Sequence, residues 1–276
     1  MKKLSVVMPA YNEADRIEAN VLEAWGTLRE FPLEFELLIV DDGSVDDTAL
    51  CALSASQLDP KRIRVIRSDR NQGKGSAVIC GTRYASGDYV AFLDADLDLH
   101  PRQLKTFIDV MCDEQTDLVI GSKFHPHSVV DYPPIRRVYS FGYYAVIRLL
   151  FGLPVKDTQT GIKLFKIDVL RRVLPRVLVK RFAFDIELLV NATALGYKIS
   201  EAPVTLHFQR SIGGRINFRD AWHILIDTLA IFYRARIIRY YDHVRPVPMA
   251  DLPAVAHADL LALPPAPERD LVTLRA

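Results

Sequence analysis

Cysteine is scarce in this chain. Its 276 residues include three, Cys51, Cys80 and Cys112. They are odd in number, widely spaced and free of any Cys-x-x-Cys pair or Cys/His run, which argues against a disulfide framework and against a zinc site. Buried thiols in a reducing cytoplasm are the expectation. Long apolar runs are missing too. No stretch of about 18 uncharged apolar residues occurs, so no transmembrane helix is expected. The five residues between Lys3 and Pro9 are too few for the core of a signal peptide. Net charge is also lacking. Thirty-five Lys and Arg against 34 Asp and Glu leave +1, whereas a nucleic-acid binder carries a strongly basic face. Nucleotide signatures fail as well. No Gly-x-Gly-x-x-Gly follows the first apolar run. Asn71-Gln72-Gly73-Lys74-Gly75-Ser76 departs from the phosphate-loop pattern, with Ser68 at its first position and Gly75 after the lysine. Kinase, ATPase and dinucleotide-binding readings lose their support.

What is present is a chain long enough to bury a large core without staples. Its first 120 residues alternate β-rich runs (Leu4–Met8, Glu36–Val40, Ile63–Ile66, Tyr89–Leu93, Leu118–Ile120) with helix-like stretches near 13–29, 46–57, 74–86 and 101–113. Continuous apolar strands separated by helices predict an α/β fold: a Rossmann-like, mostly parallel sheet with helices on both faces. The following half is less regular. It predicts a short strand after Gly161, helices near 167–174 and 184–195, a strand over about 198–207 and a last apolar helix over roughly 219–240. The expected organisation is one domain over 1–240, in halves 1–123 and 124–240, then a Pro-rich tail over 241–276. Six of the sixteen prolines fall in that tail, which is expected to lack regular structure.

Ligands of such sheets bind at the carboxyl ends of the strands, and four of those ends are polar. Asp94-x-Asp96, with Asp98 beyond, can turn hard carboxylate oxygens toward one Mg²⁺ or Mn²⁺; a solvated acidic turn is the plainer alternative. Asp42, in Asp41-Asp42-Gly43-Ser44, can accept from a nucleobase N–H or a ribose hydroxyl. Ser44 or Asp46 can cap the next helix. Lys74 and the amides beside it can face an anion. Arg210 and Arg215 flank a Gly pair and suit phosphate capture, or form an exposed basic turn. The aromatic, basic stretch from Arg136 to Phe151 and the helix from Ala221 to Tyr241 are expected either as core packing or as helices lying in a membrane interface. His125, His127 and His223 show no ligand spacing and default to loop or surface positions.

Taken together, Val6-Val7-Met8-Pro9-Ala10-Tyr11-Asn12-Glu13, Val40-Asp41-Asp42-Gly43-Ser44, Asn71-x-Gly-Lys-Gly and Asp94-Ala95-Asp96 resemble family 2 glycosyltransferases. Asp157-Thr-Gln-Thr-Gly-Ile-Lys-Leu-Phe and Arg181-Phe-Ala-Phe-Asp-Ile-Glu-Leu-Leu resemble polyprenyl- or dolichyl-phosphate glucosyltransferases and, less closely, dolichyl-phosphate mannose synthases. The resemblance spans about residues 4–220. It implies a GT-A fold, a nucleotide-sugar donor, a divalent cation (Mg²⁺ or Mn²⁺) and inversion at the anomeric carbon. By the same resemblance Pro9, Ala10, Tyr11, Glu13, Val40 and Asp42 would hold the nucleoside, with Lys74, Ala95 and Lys123 also on the donor side. Asp94 and Asp96 would bind the metal, and Asp98 would complete it. Lys123 stands where many relatives have Arg. Arg136, Asp157, Gln159, Asp185 and Glu187 would line the acceptor side. Asp96, Lys163, Arg210 and Arg215 would serve catalysis. The expected reaction moves glucose from UDP-glucose to a polyprenyl phosphate, at the cytoplasmic face of a membrane reached peripherally or through a membrane partner, with no nucleic acid involved. GDP-mannose as donor, or a soluble saccharide acceptor served by Asp185 or Glu187, are the alternatives.

Overall fold

A computed structural model describes residues 2–131, 134–181, 183–207, 218–244 and 258–261. The first half alternates strand and helix: β1 (Lys3–Ala10), α1 (Ile17–Leu28), β2 (Glu34–Asp41), α2 (Thr48–Ser56), β3 (Ile63–Ser68), α3 (Lys74–Tyr84), β4 (Tyr89–Phe92), α4 (Leu104–Asp113) and β5 (Leu118–Ser122). There follow β6 (Val129–Asp131), α5 (Pro134–Phe151), β7 (Lys163–Lys166), α6 (Ile167–Val173), α7 (Phe184–Ala194), β8 (Ile199–Pro203), β9 (Thr205–His207) and α8 (Phe218–Phe232). A π-helical turn, Tyr233–Ile237, continues α8, and β10 (Ala258–Leu261) is the last described element.

Eight strands form one sheet in the order β10-β3-β2-β1-β4-β7-β5-β8. β7 runs antiparallel to both β4 and β5, and β10 antiparallel to β3; the other neighbours are parallel. Because side chains alternate across a strand, the sheet divides the core in two. Leu4, Val6 and Met8 of β1 pack with Leu37 and Ile39 toward α1, α2 and α4. Val7 packs with Leu38, Val40 and Phe92 toward α3, α6 and α7. Helices therefore cover both faces, as the continuous apolar strands predict.

At the sheet's other end Glu36 is buried but fully engaged. It accepts from Ser5 Oγ at 2.6 Å and Ser86 N at 2.7 Å, and pairs with Arg64 at 2.9 Å and Lys3 at 3.2 Å. Burial pushes its carboxyl up, but these donors outweigh it and hold the group below its ordinary value.

Two expectations are corrected. The single strand over 198–207 is two: β8 ends at Pro203, and β9 leaves the main sheet to pair in parallel with β6. Pro203 has no N–H for a ladder, which suits the end of an edge strand. In the tail, Ala258–Leu261 is not irregular but adds an antiparallel strand beside β3. Among the described residues no helix is long and apolar enough to cross a membrane.

Candidate active site

The ends of β1, β2, β4 and β5 and the start of antiparallel β7 open on one rim of the sheet, and the loops there are stitched together. Asn12, left-handed at φ 53°, donates its N–H to Ser44 Oγ and accepts from Val45 N through Oδ1. Asn tolerates that conformation better than most residues. Ser44 thus ties two loops together instead of capping a helix, whereas Asp46 accepts from the first amide of α2, Thr48 N, at 3.1 Å. Asp42 donates its own N–H to Ala10 O and accepts from Gln72 N at 3.0 Å and Gly73 N at 2.7 Å. It therefore fixes the loop that starts α3. Burial, more than any other influence, leaves this carboxyl above its usual range.

Lysine–aspartate pairs line the rim. Lys74, the first residue of α3, meets Asp94 at 2.5 Å. Burial opposes its charge, but Asp94, Asp185 and Asp96 outweigh that and hold the ammonium above its ordinary value. Lys163 meets Asp185 at 2.7 Å, and Lys123 meets Asp157 at 2.8 Å. Thr160 joins the last two pairs: its carbonyl accepts from Lys163 and its hydroxyl from Lys123 at 3.4 Å. Burial alone would raise the Asp157 carboxyl; the Lys123 ammonium reverses this and holds it low. The line of alternating charges runs from the starts of α3, β7 and α7 to the loops after β4 and β5 and before β7, so that each buried ion in it has a partner.

Asp94 reaches into the loop before β7 because Gly161 leaves room. A Cβ on Gly161 would stand 1.9 Å from Asp94 Oδ2. Beyond Asp94 the chain turns sharply: Leu97 is left-handed at φ 54°, its N–H bonds Asp94 O, and Asp98 N donates to Asp96 Oδ1 at 3.3 Å. Asn20 Nδ2 anchors the turn through Ala95 O at 2.7 Å. The donors are two or three half-exposed carboxylates, hard oxygens that suit Mg²⁺ or Mn²⁺ when substrate phosphates and water supply the rest. No group of three or more His, Cys, Asp or Glu is gathered as a metal cage among the described residues. The residues present fit a cation shared with substrate, not one held by protein alone.

Beside Lys123, a cleft lies between α5 and the loop before β7, lined by Lys123, Phe124, Tyr144, Ile147, Lys156 and Gln159. Gln159 Nε2 is buried there without a partner, a donor that a ligand can satisfy.

Other expected site residues stand differently. Tyr11 is exposed at the mouth, Pro9 is half-buried, and Glu13 is buried and paired to Arg16 at 3.2 Å. Val40 and Ala95 are packed in the two cores, so only their main chains face the rim loops. Two expectations need correcting. Lys163 is 1% exposed and spent on Asp185 and Thr160, so it braces the site from beneath and offers no open face. Glu187 does not line an acceptor cleft. It is fully buried and accepts from Leu178 N, Val179 N, Arg234 and Tyr241. Arg136 falls on α5, but its side chain lies outside the described residues, as do Arg210 and Arg215 altogether. Sequence reasoning missed Asn12, Ser44 and Thr160 as joints and Gly161 as a spacer. Each stands inside a motif, yet nothing in its identity names its partner.

Comparison with known proteins follows the same lines. The family model described as Glycosyl transferase family 2 matches residues 5–174. The dolichyl-phosphate beta-glucosyltransferase of Dictyostelium discoideum is 34% identical over 213 residues, covering 73% of this chain and 65% of that protein. The enzyme of that name from Saccharomyces cerevisiae is 31% identical over 223 residues, covering 74% of this chain and 66% of its own length. The chain thus spans just under two thirds of the length of these relatives. Among solved structures, glucosyl-3-phosphoglycerate synthase from Mycobacterium tuberculosis, in complex with Mn²⁺, UDP-glucose and phosphoglyceric acid, superposes with a TM-score of 0.64 at 21% identity. The match covers 84% of this chain and 79% of that one. It shows a shared GT-A fold.

Proposed function

The chain belongs to glycosyl transferase family 2, and on that footing we propose that it transfers glucose from UDP-glucose to a polyprenyl phosphate, with inversion, at a membrane surface. The observation that carries the reading is the line of lysine–aspartate pairs on the rim, with a lysine-lined, partly apolar cleft beside it. Acceptor and sugar follow the relatives, whose names join dolichyl phosphate to β-glucosyl transfer. Sugar nucleotides of glucose are α-linked, so a β product calls for a single inverting displacement.

In that displacement an acceptor phosphate oxygen attacks C1 of glucose, the C1–O bond to the diphosphate breaks, and UDP leaves with the bonding pair. The nucleophile is already ionised at neutral pH, so the site needs no strong general base. Its work is positioning and charge neutralisation. Lys74, at the positive end of α3, faces the leaving side. Lys123, Lys156 and the free amide of Gln159 face the acceptor phosphate, with Phe124, Tyr144 and Ile147 against its first apolar units. Asp94 and Asp96, with Asp98 in reach, would hold Mg²⁺ or Mn²⁺, which supplies Lewis-acid stabilisation of the departing diphosphate.

Membrane contact is proposed as peripheral. The outward side of α8 and the turn after it carries Leu225, Ile226, Leu229, Tyr233 and Ile237, and Leu149 on α5 is 86% exposed. The two helices meet through Phe151 and Phe232 and through Arg236, which donates to Phe151 O. An apolar outer face edged by Arg148, Arg236 and Arg239 suits an anionic bilayer surface. The leaflet facing the cytosol, the compartment in which sugar nucleotides are made, is the side we assign.

The test is a donor panel of UDP-glucose, UDP-N-acetylglucosamine, UDP-galactose and GDP-mannose with polyprenyl phosphate and Mg²⁺ or Mn²⁺, with EDTA as control. Metal-dependent glucosyl lipid is the expected product. Mannosyl lipid would overturn the donor, and donor turnover only with a soluble acceptor would overturn the lipid.

A further inference from the structure

Glu187 belongs to no part of the proposed chemistry, yet it is fully buried and accepts from four donors. Its Oε2 accepts from Leu178 N at 2.8 Å and Val179 N at 2.6 Å. Its Oε1 accepts from Arg234 Nη2 at 3.0 Å and from the Tyr241 hydroxyl, and Arg234 Nε also donates to that hydroxyl oxygen at 3.0 Å. Leu178 and Val179 belong to the loop before α7. Arg234 and Tyr241 belong to the segment after α8, the first in the π-helical turn and the second just beyond it. One carboxylate therefore fastens the loop to the helix whose outer face is apolar. π turns inside helices are often found at functional positions.

The fastened loop is also the one that touches the donor end. Lys180, next after Val179, accepts from Ser76 N in the first turn of α3 at 3.3 Å. The approach is close enough that a Cβ on Gly73, itself left-handed at φ 99°, would come within 2.7 Å of Lys180 O. Gly73 is the residue whose amide Asp42 holds, and Lys74 after it grips Asp94. Close-packed neighbours with no slack pass displacements on and do not absorb them.

We propose that Glu187, Arg234 and Tyr241 are positioning residues that set the start of α3, and with it Lys74 and Asp94, according to how the segment after α8 is seated. The proposal rests on the donor reading above. The seat of the membrane-facing helix thereby governs how tightly the distant nucleotide sugar is held. A purely architectural network would instead lower stability and leave donor affinity alone.

Tyr241→Phe, Arg234→Gln and Arg234→Lys test this, with Arg171→Ala as control, since that exposed guanidinium on α6 lies outside the network and pairs with Asp168 at 3.0 Å. UDP-glucose affinity with Mn²⁺ by calorimetry, donor and acceptor KM, and thermal unfolding are read for each. We expect Tyr241→Phe and Arg234→Gln to weaken UDP-glucose binding by about fivefold or more (a factor of ten is 1.4 kcal/mol), to raise donor KM and to leave acceptor KM unchanged. Arg234→Lys should recover part of the loss, and Arg171→Ala should bind as the unaltered chain does. A lowered unfolding temperature with unchanged donor affinity overturns the proposal. If Arg234→Gln does not fold, the milder Tyr241→Phe decides. An unaltered chain that binds neither UDP-glucose nor UDP fails at the donor reading itself, and the proposal falls with it.

Discussion

Gly161 is the narrowest joint of the rim, because the carboxylate of Asp94 occupies the space its side chain would fill. Gly161→Ala must push Asp94 aside without touching either core. Folding should survive, with thermal unfolding within a few degrees, while kcat/KM falls about tenfold or more, equivalent to some 1.4 kcal/mol of lost transition-state stabilisation. Unchanged turnover would mean that Asp94 has room to relocate. At this scale the sequence is legible where residue type dictates role. Asp46 at a helix start is read from chemistry alone. The apolar runs before Asp42, Asp94 and Asp96 place all three on the rim, but the letters do not show that Asp42 spends its carboxylate on the amides of Gln72 and Gly73. Burial is not legible either. Nothing in the letters separates Lys163, sealed under Thr160, from Lys123, half-open on the cleft, or Asp185 on the charge line from Glu187, two residues on and facing another element. Helical spacing sets those two acids on different sides of α7, and only packing decides which side is the site.

Among the elements, α8 breaks the usual rule that a surface helix turns its polar face outward. If the apolar face docks on a bilayer, charging it should act there and nowhere else. Ile226→Glu combined with Leu229→Glu is expected to cut binding to vesicles containing anionic lipid by about tenfold or more. UDP-glucose affinity in solution should stay the same. Equal vesicle binding by the doubly charged variant would remove α8 from the interface. The existence of nearly every helix and strand is readable from periodicity, since continuous apolar runs and helical stripes survive without tertiary context. Direction and partnership are not. A strand pattern has no arrow, so the reversal of β7 between β4 and β5 is invisible in Lys163–Lys166. The departure of β9 from the sheet depends on β6, far away in sequence. β10 hides in a proline-rich tail because its pairing with β3, not its composition, makes it a strand.

Across the whole molecule, the carboxylates held below their ordinary values set the acid limit. Glu36 and Asp157, both buried and donor-rich, and Asp117, bonded to Lys198 N and Lys166, are each more acidic folded than unfolded. Their stabilisation is therefore complete above the unfolded values and is lost as pH falls through the folded ones. Asp42, shifted the other way, offsets a part of this. The unfolding temperature should drop steeply below about pH 5, and Glu36→Gln should lower it at neutral pH while flattening that acid limb. An acid limb as steep as that of the unaltered chain would show that Glu36 contributes none of it. The reversed β7 has one more effect, on the order of events in time. Ala91 and Val119 both wait for Leu164 to stand between them, so the sheet made by the first 122 residues stays open until the second half has been synthesised. Pairings so distant in sequence close slowly. The nascent chain must shelter the unpaired edges of β4 and β5 meanwhile, which makes this the stage at which a chaperone matters most and a premature stop is most apt to aggregate.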